Sequence, residues 1–172
     1  MVDSVETPAH EIIIARTEQE IQQCYDVRIA VFHVEQKFPL ETEIDEFDRS
    51  PHATHFLLRL IPSLTPIGCI RVVKRPDASY YKLTRLVVLR DYRRFRFGRA
   101  LVQTLHDWAK ADALSAGATG SIQVVLHSQL HAKGFYAKFG YLPEGAEFDE
   151  DGDPHQKMVL RLPLEPSVNV QT

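Results

Sequence analysis

Residues 84–101, TRLVVLRDYRRFRFGRAL, constrain this chain more than any other stretch. The apolar run from Leu86 to Leu89 has the character of a buried strand, and it gives way without a spacer to five arginines in ten residues: Arg90, Arg93, Arg94, Arg96 and Arg99. Beyond Gly98, the apolar positions Leu101, Leu105, Trp108 and Ala109 keep helical spacing. A helix opening here leaves its first N–H groups without intrahelical partners, in a strongly cationic setting. Such a terminus attracts anions, and a phosphate or diphosphate fits it. Strand, cationic turn and helix together describe a ligand site.

The rest of the chain makes that cluster local. A formal net charge of -3 argues against nonspecific nucleic-acid binding and points to a defined anionic ligand. At 172 residues there is material for one substantial core, and 44% hydrophobic with 25% charged residues is the balance of an ordinary soluble domain. The two cysteines, Cys24 and Cys69, fall in apolar segments without CxxC spacing and read as buried thiols of a reducing compartment. With no signal-like or membrane-spanning apolar run, the expected location is cytoplasmic or nucleocytoplasmic, with no membrane partner.

Element signals run along residues 11–162, between a lead at 1–10 and a tail at 163–172. Ile12–Ile14 reads as a first strand. Thr17 with Glu20 forms a capping-box pattern opening a helix that carries Ile21, Cys24, Tyr25, Val27, Arg28, Val31 and Phe32. The stretch from His33 to Ser50 holds Pro39 and six acids (Glu35, Glu41, Glu43, Asp45, Glu46 and Asp48), which reads as a loop whose charge would favour a cationic amine. Strands are expected over 56–61, 68–73 and 81–89, a helix from Gly98 towards Leu114, and a buried strand at 122–126 parallel to the motif strand. Ser128 is placed to cap a short helix carrying Leu130, Phe135, Tyr136 and Phe139. Residues 156–162 alternate as a final strand.

The motif stretch resembles the acyl-CoA-binding segment of the GNAT superfamily of N-acetyltransferases, in which Arg or Gln is followed by glycines at the third and fifth positions beyond it. Arg93 and Gly98 take the first and last places, and Arg96 stands where the middle glycine is usual. Further segments are similar to the ElaA-like branch: VRIAVFHVEQKFP at 27–39, EIDEFD at 43–48, THFLLR at 54–59, GCIRVV at 68–73, HAKGFYAKFGY at 131–141 and EGAEFDEDGDPHQKM at 144–158. The resemblance implies an α+β, mixed α/β single domain: a strongly twisted mixed sheet of about six or seven strands flanked by helices.

It also implies acetyl-CoA as cosubstrate and a primary amine, on a small molecule or peptide, as acceptor. Val87 and Val88 would align the pantetheine arm, with a backbone N–H near Val88 meeting the thioester carbonyl. The diphosphate would lie over Arg94, Phe95, Arg96, Phe97, Gly98, Arg99 and Ala100, with Arg93 beside it and Gln129 on the pantetheine. Tyr136 is the expected general acid towards the departing thiolate. Glu35 and His155 are the candidate bases, and Asp149 and Asp151 could attract a positive substrate.

Three readings compete. A direct-transfer N-acetyltransferase is the first, and a noncatalytic acyl-CoA-binding regulatory module is the alternative. The third, a nucleic-acid binder, conflicts with the overall charge. No metal site is expected, because His52 with His55 and His127 with His131 lack companion ligands. Sheet edges leave room for a homodimer.

Overall fold

In the computed structural model, which describes residues 5–164, eight strands form one mixed sheet between helical layers. The strands are β1 (His10–Ile14), β2 (Ala53–Leu60), β3 (Pro66–Val73), β4 (Tyr80–Val88), β5 (Ser121–Gln129), β6 (Leu142–Pro143), β7 (Phe148–Glu150) and β8 (Asp153–Pro163). Their order is β1-β2-β3-β4-β5-β8-β6, with β7 also on β8. All neighbours are antiparallel except β4 and β5, which are parallel as expected for strands joined by a crossover helix. Residues 1–4, and 165–172 of the expected tail, lie outside the described residues. Leu164 is buried against the core, and its N–H donates to Gly120 O.

Helix α1 (Glu18–Arg28) begins at the capping box read from sequence: Glu20 N–H donates to Thr17 Oγ1 at 3.1 Å and Thr17 N–H to Glu20 Oε2 at 3.0 Å. It does not stop at Phe32 but continues as a π-helical segment, Ile29–Glu35. The wider turn carries Phe32 and Gln36 to the rim of the main cavity. Cys24, Val27 and Val31 pack on Leu57, Cys69 and Val87. Helix α2 (Phe97–Ser115) lays Leu101, Leu105, Ala109 and Ala113 on the opposite face, against Phe56, Leu58, Ile70 and Val72. Neighbouring strand residues thus feed two separate cores, as the two-residue period of a strand requires.

Two expectations change. Ser128 caps no helix: it lies buried inside β5, which runs on to Gln129, and its hydroxyl donates to Gln129 O at 2.7 Å. The short helix α3 (Lys133–Ala137) starts five residues later, after a 3-10 turn at Leu130–Ala132. Continuous pairing of β5 with β8, from Ser121 to Gln129, keeps the strand intact where a cap was anticipated. The acidic loop, read as offering its charge to a cationic amine, likewise turns three of its carboxylates inward. Glu43 and Asp48 are buried, and Asp45 is half-buried, because three arginines from other elements turn towards them. Arg28, fully buried, donates to Glu43 Oε1 at 2.6 Å and to Asp48 Oδ1 at 2.7 Å. Arg71 reaches Asp45 and Asp48, and Arg85 reaches Asp45. Buried charges require such partners, so the loop folds over them and leaves only Glu41 and Glu46 of the six acids fully exposed.

Candidate active site

A bulge in β4 creates the site. Pairing with β3 jumps from Cys69↔Val87 to Arg71↔Thr84, so Arg85 and Leu86 together oppose Ile70, and Arg85 takes φ 55°. The bent strand leaves its parallel neighbour: β4 and β5 pair only over Tyr80–Lys82 and Gln123–Val125. Between their diverging ends lies a cavity of about 560 Å³, within the range for small-molecule sites. Leu89 N–H donates to Ile67 O on β3 at 2.8 Å. By strand alternation the N–H and C=O of Val88 therefore point away from β3, while the Val87 and Val88 side chains pack in the cores rather than on the cavity wall. Arg93 Nε donates to that carbonyl at 2.9 Å, which leaves the N–H for a ligand.

The arginine cluster divides into two groups. Arg93 forms a two-pronged pair with Glu35, both contacts at 2.6 Å, and ties the end of β4 to the helix extension. Arg94, Arg96 and Arg99 are exposed and have no ion-pair partner among the described residues. They surround the start of α2, where the first intrahelical bond is Ala100 N–H to Arg96 O and no side chain caps the N–H groups of Phe97, Gly98 and Arg99. Arg96 sits at φ 60°, ψ 26°, a left-handed conformation that glycine adopts freely. The glycine usual at this place thus has a backbone reason, and arginine meets the same geometry under strain. A Cβ at Gly98 would meet only the Phe135 ring, at 3.5 Å, so the core does not demand glycine there.

Tyr136 packs in an aromatic group with Phe135 and Tyr141, yet it also lines the cavity. Burial raises its phenol well above the ordinary value, so it stays protonated. Gln129, at the end of β5, lines the same cavity and donates from Nε2 to Gln36 Oε1 at 2.8 Å. Glu35 lies apart from that cavity wall, and its pairing with Arg93 holds its carboxyl below the usual value. His155 is a buried wall residue whose Nδ1–H donates to Asp153 O at 2.8 Å. Asp149 accepts from Gly152 N–H in the β7–β8 turn, and Asp151 sits exposed at the rim.

Sequence reasoning missed one pair. His127, on the cavity side of β5, donates from Nδ1 to Glu150 Oε1 at 2.8 Å, and His155 Nε2 lies 3.6 Å from the other oxygen of that carboxylate. The hydrogen bond from His127 holds Glu150 below its usual value, hence ionised. A carboxylate on Nδ1 fixes the imidazole as the tautomer whose Nε2 carries the lone pair. Extending the two-residue period of β5 through Gln123, Val125 and His127 would have placed His127 on this wall. His131 is exposed in the turn that follows β5, at the edge of the same cavity. Among the described residues, no cluster of three or more His, Cys, Asp or Glu side chains could hold a metal ion.

A splayed parallel strand pair beside an uncapped, cationic helix start is the architecture of an acyl-CoA-dependent acyltransferase. The sequence matches the family model for the acetyltransferase (GNAT) domain over residues 15–162, and the chain belongs to that family. A protein of Bacillus subtilis strain 168 named as an acetyltransferase is 35% identical over 142 residues, covering 83% of this chain and 90% of the relative. The uncharacterised N-acetyltransferase YjcF of the same strain is 34% identical over 148 residues, 86% of this chain and 96% of its own length. Among solved structures, an N-acetyltransferase from Lactobacillus plantarum superposes with a TM-score of 0.73 at 28% identity, covering 90% of this chain and 99% of its own. Escherichia coli ElaA gives 0.73 at 24% identity, with 87% and 97% covered, a likeness of fold.

Proposed function

We propose that this protein transfers the acetyl group of acetyl-CoA to a primary amine by direct attack within a ternary complex. The observation that carries the reading is the cleft itself. Beside it the Val88 N–H turns away from β3, and its wall holds a buried, protonated tyrosine and a carboxylate-fixed histidine.

The diphosphate lies over the first turn of α2, against the N–H groups of Phe97, Gly98 and Arg99, with Arg94, Arg96 and Arg99 neutralising its charge. Arg93 acts one step back, holding the β4 terminus and Glu35. The pantetheine follows β4 along Val87 and Val88, with Gln129 opposite. The thioester carbonyl then accepts from the Val88 N–H, which stabilises the oxyanion formed on attack. The acceptor amine must lose a proton, and His127 Nε2 takes it while Glu150 stabilises the resulting imidazolium. This geometry favours His127 over Glu35, whose carboxylate is already engaged by arginine. When the tetrahedral adduct collapses, the carbon–sulfur bond breaks and Tyr136 donates its proton to the thiolate.

Direct attack also agrees with the thiols. Cys24, on α1, and Cys69, on β3 beneath it, are free and buried, and burial raises the Cys69 thiol well above its ordinary value. The sequence segments shared with the ElaA-like branch support placing the chain there.

Calorimetric titration with acetyl-CoA, CoA and ATP tests the groove. Saturable binding of the first two without comparable ATP binding is expected, and no acyl-CoA binding by folded protein would overturn the proposal. Gly98→Glu is the matching variant. Its side chain adds charge to a first turn that holds no acid and suits helix α2 itself, so lost acetyl-CoA binding would report the diphosphate site. Binding without turnover of any amine would favour the regulatory-module reading, which the strained Arg96 motivates.

A further inference from the structure

The charges on the cavity wall are almost all spoken for. Arg71 and Arg85 face Asp45, Arg75 faces Asp77, and Glu150 faces His127. Lys82 is different. It lines the cavity at the point where β4 and β5 part, it is half-buried, and among the described residues its ammonium has neither an ion-pair nor a hydrogen-bond partner. Burial holds it below its ordinary value; Glu150 and Asp45 act to raise it, Arg71 and Arg85 to lower it. The two acids are committed to other partners, so Lys82 has no counterion of its own. An ammonium kept from water in this way is a receptor for an anion.

Its position relative to the proposed base narrows the ligand. Lys82 pairs with Val125 across the strands, and His127 lies two residues further along on the same face of β5. A strand spacing of about 4.8 Å and a rise of about 3.3 Å per residue put the two backbone positions on the order of 8 Å apart, before either side chain reaches inward. One small molecule can therefore place an amine at His127 and an anion at Lys82. The loop that promised an acidic surface spends Glu43, Asp45 and Asp48 on arginines, so those carboxylates do not select a purely cationic amine, and the exposed acid left to this cavity is Asp151 at its rim. The single ammonium is a point charge that one monoanionic carboxylate neutralises, and a cavity shared with a pantetheine arm leaves room for a small partner.

We infer that the acceptor is an amino acid, a primary amine with a carboxylate a few bonds away, and that Lys82 binds the carboxylate. This rests on the acetyl-transfer reading above.

The experiment measures CoA release from acetyl-CoA with each of the twenty amino acids, their α-carboxamides, the corresponding decarboxylated amines and O-phosphoethanolamine. For at least one amino acid, kcat/KM should exceed that of its carboxamide and its amine tenfold or more. Lys82→Met should collapse that ratio by about tenfold, and Lys82→Arg should retain most of it. A binding arm removes dependence on turnover. CoA-loaded protein is titrated with the N-acetyl amino acids and their amides, and the acids should bind more tightly, with the difference lost in Lys82→Met. Equal or better use of carboxamides or plain amines, preference for O-phosphoethanolamine, or an unchanged ratio in Lys82→Met each overturn the assignment. So does acetyl-CoA binding with neither turnover nor product binding of any amino acid. Absence of acetyl-CoA binding overturns the transferase reading itself and this inference with it.

Discussion

Asp48→Asn should be among the most destabilising conservative changes in this chain. The two oxygens of Asp48 accept four hydrogen bonds: Oδ1 from Arg28 Nη1 at 2.7 Å and Arg71 Nη1 at 2.8 Å, Oδ2 from Arg28 Nη2 at 3.1 Å and the Asp45 N–H at 2.8 Å. Asparagine keeps one oxygen, turns an NH₂ towards donors and removes the charge that faces two buried guanidinium groups. Breaking a buried pair by removing one partner costs about 3–5 kcal/mol. At this chain length that lowers the melting temperature by roughly 10 °C. Urea unfolding followed by fluorescence, with the slope unchanged, gives the difference directly. Glu46→Gln in the same loop, at an exposed position, should stay within about 0.5 kcal/mol of the wild type. The pH dependence supplies an independent check. Burial alone would raise the Asp48 carboxyl, but Arg28 and Arg71 outweigh it and hold it well below the usual range. A group depressed in the folded state stabilises fully above its unfolded value, about 3.9, and loses that contribution as pH falls below it. The gap between wild type and Asp48→Asn should therefore narrow below about pH 4. A cost for Asp48→Asn no larger than that of Glu46→Gln would refute the network's role.

Three other outcomes follow from the structure. His106 is buried, shares a 2.6 Å hydrogen bond with the Tyr141 hydroxyl, and is pushed down to about 4 by burial, so it resists protonation while folded. Its contribution is complete above the unfolded value near 6.5 and should be lost as pH falls towards 4, by about 3 kcal/mol; urea midpoints that stay flat across that window would contradict this. Arg96→Gly should stabilise by roughly 0.5–1 kcal/mol, the relief of about 1–2 kcal/mol of left-handed strain less the entropy glycine adds to the unfolded chain, and thermal melts showing a loss would refute the strain argument. In steady-state kinetics Tyr136→Phe should lower kcat about 100-fold with little change in acetyl-CoA affinity, and His127→Gln should do likewise with the amine; an unchanged kcat removes the residue from its role.

Much of the fold was legible because its signals are local. The apolar run before the arginines, the helical spacing after Gly98 and the Thr17–Glu20 capping box each lie within a few residues, where period and propensity act. The parallel pairing of β4 with β5 followed from the crossover between them. The end of the short strand at Leu126 was misread because Ser128 is a good helix cap taken alone, whereas nine consecutive pairs with β8 hold it in a strand. Tertiary pairing overrode a local preference there.

The site was legible only in part. Sequence determined that a cationic turn follows a buried strand, and it placed Tyr136 and Gln129 beside the same segment of chain. Tertiary structure decided what those groups face. Glu35 meets Arg93 across 58 residues of chain, Gln129 meets Gln36 across 93, and Arg71 meets Asp45 across 26. The charge that the cavity wall presents depends on these long-range pairings, because a carboxylate's charge is available to a ligand only if no buried arginine has claimed it. Lys82 and His127 acquire their meaning in the same way, from a bulge that parts two strands and leaves one ammonium without a counterion.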